Sequence, residues 1–112
     1  CAPKQEPLAV AMSSSGKRIL FRTATGVAAW EPDLAQPVVL VASFDGQMEG
    51  ALPIAAGETE VFFARSNAEH HLHRCLFDPP YTCRSTGNDP VRSIHVRDGM
   101  AYFTMGRRVC KW

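Results

Sequence analysis

The sequence predicts an all-β protein built from a short repeat, and two observations support this prediction. Three segments align on Phe21, Phe63 and Phe103, at intervals of 42 and 40 residues. Within each segment, runs rich in β-branched and aromatic residues alternate with glycine or proline turns, and no stretch has a convincing helical pattern. A period near 40 residues fits a repeating unit of four short antiparallel strands. The 112 residues therefore contain three such units.

Each unit has the same order of elements. A short apolar run comes first, a glycine turn follows, and the next strand ends at the aligned phenylalanine. A further turn and strand then lead to a large aromatic residue. The apolar runs centre on Val10, Ile54 and Ile94, the turns on Gly16, Gly57 and Gly99, and the closing aromatics are Trp30, Phe77 and Trp112. An outer strand is predicted at 37–44 in the first unit and 81–85 in the second. Such a unit matches one four-stranded blade of a β-propeller.

A cross-linked hairpin is predicted in the middle unit. Cys75 and Cys83 flank a tight Asp78-Pro79-Pro80 turn between two β-type runs. Because this turn brings the runs side by side, the two cysteines can lie on facing strands within bridging distance. The sequence therefore predicts a disulfide between Cys75 and Cys83.

The third unit lacks an outer strand, and this gap suggests a role for Cys1 and Cys110. Counting two residues back from each closing aromatic gives Ala28, Cys75 and Cys110. By this count Cys110 has the position of Cys75 and needs a partner on an outer strand. Pro7 follows Cys1 by 6 residues, much as Pro90 follows Cys83 by 7. The N-terminal strand is therefore expected to complete the third unit, with Cys1 bonded to Cys110.

Two stretches resemble known propeller repeats. The segment SSSGKRILFRTATG is similar to the TolB-type repeat, and VRDGMAYFTMGRRVCKW is similar to the YWTD and NHL-type blade. The paired cysteines of the middle unit also resemble those of disulfide-bearing propeller repeats in secreted bacterial lipoproteins. The resemblance implies one propeller-type domain over residues 1–112, with repeat units at 7–49, 50–89 and 90–112 plus 1–6. It implies a fold rather than an activity, because propellers include enzymes, lectins, receptors and scaffolds.

Three blades are too few to close a ring of about 4 to 8 blades. One solution is a homodimer that forms a six-bladed ring by strand exchange, with Cys1 of each chain bonded to Cys110 of the other. The alternative is that the chain is a segment of a longer propeller. The even number of cysteines and the matching ends favour the dimer.

Composition limits the partners and the compartment. The formal net charge is +1, which gives no overall attraction to nucleic acid or anionic lipid. No apolar run approaches the roughly 20 residues of a membrane-spanning helix. The chain starts at Cys1, as a processed or excised product would. Lipid attachment at Cys1 is a lesser alternative to the expected Cys1–Cys110 disulfide. Four cysteines favour an oxidising compartment, so we expect a secreted, periplasmic or cell-surface protein.

Candidate metal ligands occur in the middle unit. In a strand, His71 and His73 would share one face and offer two imidazoles to zinc or copper. A third ligand would have to come from Glu69, His95 or Asp98, and nothing in the spacing requires one. A polar hairpin tip explains the same histidines, so no cofactor is expected.

Candidate ligand-binding residues are pairs of arginine and aromatic side chains. Arg74 with Tyr81, or Arg107 and Arg108 with Trp112, could form a stacking surface for a sugar or a base. The recurrence of Trp30, Phe77 and Trp112 instead favours packing between blades.

The sequence as a whole favours a non-enzymatic extracellular binding module, with a carbohydrate or a protein as its ligand. A metal-dependent enzyme that uses the middle-unit histidines, or an interaction scaffold, are the alternatives.

Overall fold

The computed structural model describes residues 8–34, 38–43, 52–66 and 69–112. These ranges form an all-β structure with one short 3-10 helix, Pro32–Leu34, and no α-helix. The predicted fold class is therefore confirmed at the level of an all-β chain. The strands in chain order are β1 (Ala9–Met12), β2 (Ile19–Arg22), β3 (Gly26–Trp30), β4 (Val39–Ser43), β5 (Ile54–Ala56), β6 (Glu60–Ala64), β7 (Leu72–Leu76), β8 (Cys83–Thr86), β9 (Val91–Arg97), β10 (Met100–Met105) and β11 (Arg108–Lys111).

The strands form three antiparallel sheets in which neighbours in sequence are neighbours in space. Sheet 1 has the order β1-β2-β3-β4, sheet 2 the order β5-β6-β7-β8, and sheet 3 the order β9-β10-β11. None of the three sheets closes on itself. The outer strands β4 and β8 fall at the predicted positions, to within two residues.

The pairing register repeats from sheet to sheet. Phe21 lies opposite Val10, Phe63 opposite Ile54, and Phe103 opposite Ile94. These are the residues that the sequence alignment placed at equivalent positions. In each of the three sheets, therefore, the aligned phenylalanine pairs with the aliphatic residue of the preceding strand at the same register position.

Sheet 2 is buried on both of its faces, between the other two sheets. On one face, Val61 and Phe63 of β6 share a core with sheet 1. On the other face, Phe62 and Ala64 of β6 share a core with sheet 3. Because successive strand residues point to opposite faces, this explains why β6 is apolar throughout instead of alternating. The first core comprises Leu20, Val27, Ala29, Val41, Val61, Phe63, Cys75 and Phe77, and the second Phe62, Ala64, Leu72, Val91, Ala101, Phe103 and Met105.

The closing aromatics do not share one register position, contrary to the sequence count. Trp30 lies opposite Ile19, and the backbone of Trp112 exchanges two hydrogen bonds with Ala101, at 2.8 and 2.9 Å. In sheet 2 the residue equivalent to Ile19 and Ala101 is Val61, and it lies opposite Cys75 rather than Phe77. Phe77 therefore lies two residues beyond the position of the two tryptophans.

The reason is the length of the β6–β7 hairpin. Phe63 pairs with His73, ten residues later, whereas Phe103 pairs with Cys110 after only seven. Counting back from the aromatic residue overlooked this longer tip. The counterpart of Cys110 is thus His73 rather than Cys75, and the analogy between the two cysteines was wrong.

The disulfide between Cys75 and Cys83 is confirmed. The two residues lie directly opposite each other on β7 and β8, with their Cα atoms 4.1 Å apart. Cys75 is fully buried in the core between sheets 1 and 2. Cys110 is a free, partly buried thiol that packs against the core between sheets 2 and 3. The predicted N-terminal strand and the Cys1–Cys110 bond involve residues outside the described ranges.

No helix in the described ranges is long and apolar enough to cross a membrane.

We expect the Cys75–Cys83 bond to stabilise the fold by limiting the unfolded chain. The bond joins residues 8 apart in sequence, and the chain-entropy relation gives roughly 2.5 kcal/mol for a loop of this size. The double variant Cys75→Ala/Cys83→Ala should therefore lose about that much free energy of unfolding in urea titrations. Cys110→Ser is the matched control and should leave the disulfide intact in non-reducing peptide mapping. Alkylation of both Cys75 and Cys83 in the native protein would contradict this account.

Candidate functional site

A cleft of about 180 Å³ lies at the junction of sheets 1 and 2. Its walls come from the end of β3, the residue before β2, and the segment that links β7 to β8. The lining residues are Arg18, Ala29, Trp30, Glu31, Val39, Phe77, Asp78, Pro79 and Tyr81. Alternation along β3 puts Ala29 on the face toward sheet 2 and Trp30 on the other face. The aromatic residues that line the cleft are Trp30, Phe77 and Tyr81, and of these Phe77 and Tyr81 pack with the core between sheets 1 and 2.

The disulfide-linked hairpin delivers one wall of the cleft. After β7, the chain turns through a cis Pro79-Pro80 peptide, and the backbone N–H of Tyr81 donates to the carbonyl of Asp78 at 2.9 Å. Tyr81 has a φ of 56°, which directs its backbone into the left-handed region before β8 begins. Its side chain packs, partly buried, against the core between sheets 1 and 2. The Cys75–Cys83 bond closes the base of this turn and so holds Asp78 and Tyr81 at the cleft.

Arg18 joins the two sheets at the cleft. Its Nε donates to Oε1 of Glu31, and its Nη1 donates to Oδ1 of Asp78 at 2.6 Å. The guanidinium carbon also lies 5.1 Å from the centre of the Phe77 ring. Partial burial disfavours the charged form, but the hydrogen bonds that Arg18 donates to Glu31 and Asp78 outweigh it and raise the pKa of Arg18. The arginine therefore stays cationic and fixes two carboxylates, 47 residues apart in sequence, beside one another.

A second, polar cleft of about 260 Å³ adjoins the first and shares Arg18, Glu31 and Asp78 with it. Its other lining residues are Ser13, Ser15, Lys17, Glu58 and Thr59. We call the two clefts together the groove. Two hydrogen bonds tie its rim across the sheets, since the N–H of Ser14 donates to the Gly57 carbonyl at 3.1 Å and that of Ser15 donates to Oε2 of Glu58 at 2.8 Å.

Arg74 lies at the other junction, between sheets 2 and 3, and packs there rather than beside Tyr81. It donates two hydrogen bonds to Glu60, from Nε at 2.8 Å and from Nη2 at 2.5 Å. Its guanidinium carbon is 4.8 Å from the Phe62 ring centre and 5.0 Å from that of Trp112. The hydrogen bonds from Arg74 lower the pKa of Glu60, against the effect of its burial, and the charge of Arg84 adds to this. Of the predicted pair, the structure places Tyr81 alone in the groove.

Arg107 and Arg108 are exposed at the turn between β10 and β11. The nearest acidic contact of Arg108 is Asp89, with Nη2 and Oδ2 4.0 Å apart. Trp112 lies at the other end of β11 and packs edge-on against Phe62. The structure therefore does not bring the two arginines together with Trp112, which has Arg74 and Arg84 as its cationic neighbours.

Of the two histidines predicted to share a strand face, only His73 lies within β7. His71 precedes β7, where its backbone N–H donates to Gly87 and its carbonyl accepts from Arg65. His73 lies within β7, with its ring stacked on Phe63 at 5.4 Å and its Nε2 3.0 Å from the His70 carbonyl. Among the residues that the structure describes, no three metal-ligating side chains come together. Strand β7 begins one residue after His71, so a metal site at His71 and His73 stays a prediction.

The sequence analysis did not find Arg18, Glu31 or Asp78 as site residues. Arg18 and Asp78 are 60 residues apart, and each looks like an ordinary surface charge in its own segment. A pairing between them becomes visible only when sheets 1 and 2 are packed together. The Asp78-Pro79-Pro80 turn was recognised, but as a hairpin connection only.

No family model, curated protein or solved structure matches the chain. The resemblance to propeller repeats therefore stays a prediction.

Replacing Glu60 by Gln should reveal a stabilising ion pair whose strength depends on pH. The folded pKa of Glu60 is lowered, so its pairing with Arg74 stabilises the protein above the unfolded pKa of about 4.3. This stabilisation is lost as the pH falls through the folded pKa. We therefore expect the free energy of unfolding of the wild type to be roughly 1.5 kcal/mol higher than that of Glu60→Gln near pH 7. This difference should vanish in strong acid.

Urea titrations across this pH range measure the difference. Asp98→Asn is the matched control, because the Asp98 carboxylate is 93% exposed and 3.9 Å from Arg97. It should show no such pH-dependent loss. A constant difference between wild type and Glu60→Gln at every pH would contradict the assignment.

Proposed function

We propose that this protein is a non-enzymatic binding module that holds a carbohydrate in the groove. The observation that supports this proposal is the pair of carboxylates that Arg18 fixes next to Tyr81. This combination of oriented acceptors, a cationic donor and an aromatic surface suits a ring with polar edges and apolar faces.

The polar part of the groove matches the hydroxyl groups of a sugar. Arg18 engages one oxygen of Glu31 and one of Asp78, and each carboxylate has two oxygens that accept hydrogen bonds. Adjacent hydroxyls of a sugar can donate to these carboxylates and accept from the guanidinium. Hydrogen bonds to charged groups contribute more than neutral ones, about 1.5–3 kcal/mol each.

The aromatic part of the groove matches the apolar face of the same ring. Tyr81 is only partly buried, so part of its side chain is available to a ligand. Sites for drug-sized ligands have volumes of about 300–1,000 Å³. The Tyr81 cleft, at about 180 Å³, is therefore suited to a single sugar unit.

Binding is favoured over metal-dependent catalysis by the surroundings of His73. Its ring is stacked on Phe63 and its Nε2 lies 3.0 Å from a backbone carbonyl, so a metal ion at this nitrogen would have to replace that hydrogen bond.

The proposed setting is extracellular. A disulfide at the base of the Tyr81 turn requires an oxidising compartment to form and persist. A secreted, periplasmic or cell-surface location meets this requirement.

The proposed assembly is a propeller of six blades, made by two copies of the chain. Three small meander sheets that stack face to face, with the middle one covered on both sides, support this proposal. A Cys1–Cys110 bond between copies stays a prediction.

Glycan-array screening followed by calorimetric titration tests the binding proposal. We expect Asp78→Asn and Tyr81→Ala each to weaken the binding of the selected glycan by about tenfold or more. Tyr81→Phe retains the ring and should bind nearly as wild type does. Asp98→Asn, a neutralised carboxylate far from the groove, is the second control. Unchanged binding by both groove variants, or no glycan bound at all, would contradict the proposal.

A further inference from the structure

The outer face of sheet 1 is apolar, and side chains along its two edge strands are exposed, whereas Phe21 and Ala28 in the middle of the face are at most 5% exposed. Four large apolar side chains on it are accessible to solvent: Leu8 at 39%, Val10 at 61%, Met12 at 60% and Leu40 at 59%. Alternation places Ile19, Phe21, Ala28 and Trp30 on the same face, so its strands present no charged residue there. Surfaces of this kind mark contacts with another protein surface.

The repeat shows what normally covers this face. Phe63 and Phe103 are the register equivalents of Phe21. Phe63 packs against sheet 1 and Phe103 packs against sheet 2. Each of these sheets therefore uses the phenylalanine face to contact the sheet that precedes it. Among the described residues, no sheet packs on the Phe21 face of sheet 1.

At the junction of sheets 2 and 3, side chains of sheet 2 contact Trp112 of sheet 3. Arg74 and Phe62 are opposite each other on β7 and β6, and Arg74 lies over Trp112 of the next sheet. In sheet 3 the register equivalents of Phe62 and Arg74 are Tyr102 and Lys111, which are also opposite each other. Both are exposed on the outer face of sheet 3.

The register equivalent of Trp112 is Trp30. Trp30 lies opposite Ile19, two residues before Phe21, as Trp112 lies beside Ala101, two residues before Phe103. A sheet 3 placed before sheet 1 in the same way would thus set Lys111 and Tyr102 on Trp30.

We propose that a second copy of this chain covers the outer face of sheet 1 with the outer face of its own sheet 3. Lys111 of the second copy then takes the place over Trp30 that Arg74 has over Trp112. Twofold symmetry repeats the contact and closes two chains into one ring. This interface gives the ring proposed above its contact surface, and it does not depend on sugar binding.

The exposed side chains agree with this choice of partner surface. All six large apolar or aromatic side chains that are exposed in the described ranges lie on the two faces that the contact would bury. Besides the four on sheet 1, these are Tyr102 at 43% and Val109 at 81% on sheet 3. The hydroxyls of Ser93 and Thr104, on the same face as Val109, are 3.0 Å apart and hydrogen-bond to each other. Burying them would therefore leave neither without a partner.

Sedimentation equilibrium of the wild type and of two charge variants tests the contact. The wild-type mass should be twice 12.3 kDa, and Val10→Asp and Val109→Asp should each weaken dimerisation by about a hundredfold or more, because each buries a carboxylate in the contact. Thr25→Asp adds the same charge at the exposed β2–β3 turn and should stay dimeric. Circular dichroism verifies that all three variants fold, as expected for exposed positions.

Mixing the two interface variants distinguishes this contact from its rivals. In the proposed ring, Val10→Asp and Val109→Asp are each monomeric alone, but a mixture restores one intact contact and should show heterodimers. If Val109→Asp alone remained dimeric while Val10→Asp did not, sheet 1 would pair with itself and the proposal would be overturned. A monomeric wild type at all concentrations would also overturn it. Neither result depends on a sugar, so failure here and failure of the binding proposal are separate outcomes.

Discussion

The fold depends on the burial of sheet 2 on both faces, and β6 is the strand that makes this possible. Val61 and Phe63 fill the core toward sheet 1, while Phe62 and Ala64 fill the core toward sheet 3, and all four are at most 2% exposed. A single unit of about 40 residues is close to the lower size limit at which a chain buries enough apolar surface to fold alone. Each outer sheet therefore owes its stability to its contact with this strand and its neighbours.

At each of the two junctions between sheets, an arginine side chain lies over an aromatic ring and is paired with a carboxylate. Arg18 lies over Phe77 between sheets 1 and 2, and Arg74 lies over Trp112 between sheets 2 and 3. Each is paired with carboxylates, so the charge that enters the junction is compensated. The difference is in accessibility. The Arg74 pair is largely enclosed, whereas Asp78 beside Arg18 is 58% exposed and borders open groove.

The groove thus results from the way in which sheets 1 and 2 are joined at one end. The disulfide-closed turn of sheet 2 carries Asp78 and Tyr81 to the edge of sheet 1, where Arg18 and Glu31 meet them. A rigid scaffold that presents polar groups on its connecting segments is a common arrangement for binding sites. The proposed second copy contacts the outer faces of sheets 1 and 3, and of the residues that line the groove it covers Trp30.

The sequence alone determined the local structure, because strand propensity, turn residues and cysteine spacing act over a few residues. The all-β class, the equivalence of Phe21, Phe63 and Phe103, and the Cys75–Cys83 bond all follow from such short-range signals. Only the tertiary structure decided the residues of the groove and the register of the middle hairpin. Arg18 meets Asp78, and Arg74 meets Trp112, across junctions between sheets. Such partners are chosen by packing between distant segments, and a three-residue difference in a hairpin tip shifts every position counted through it.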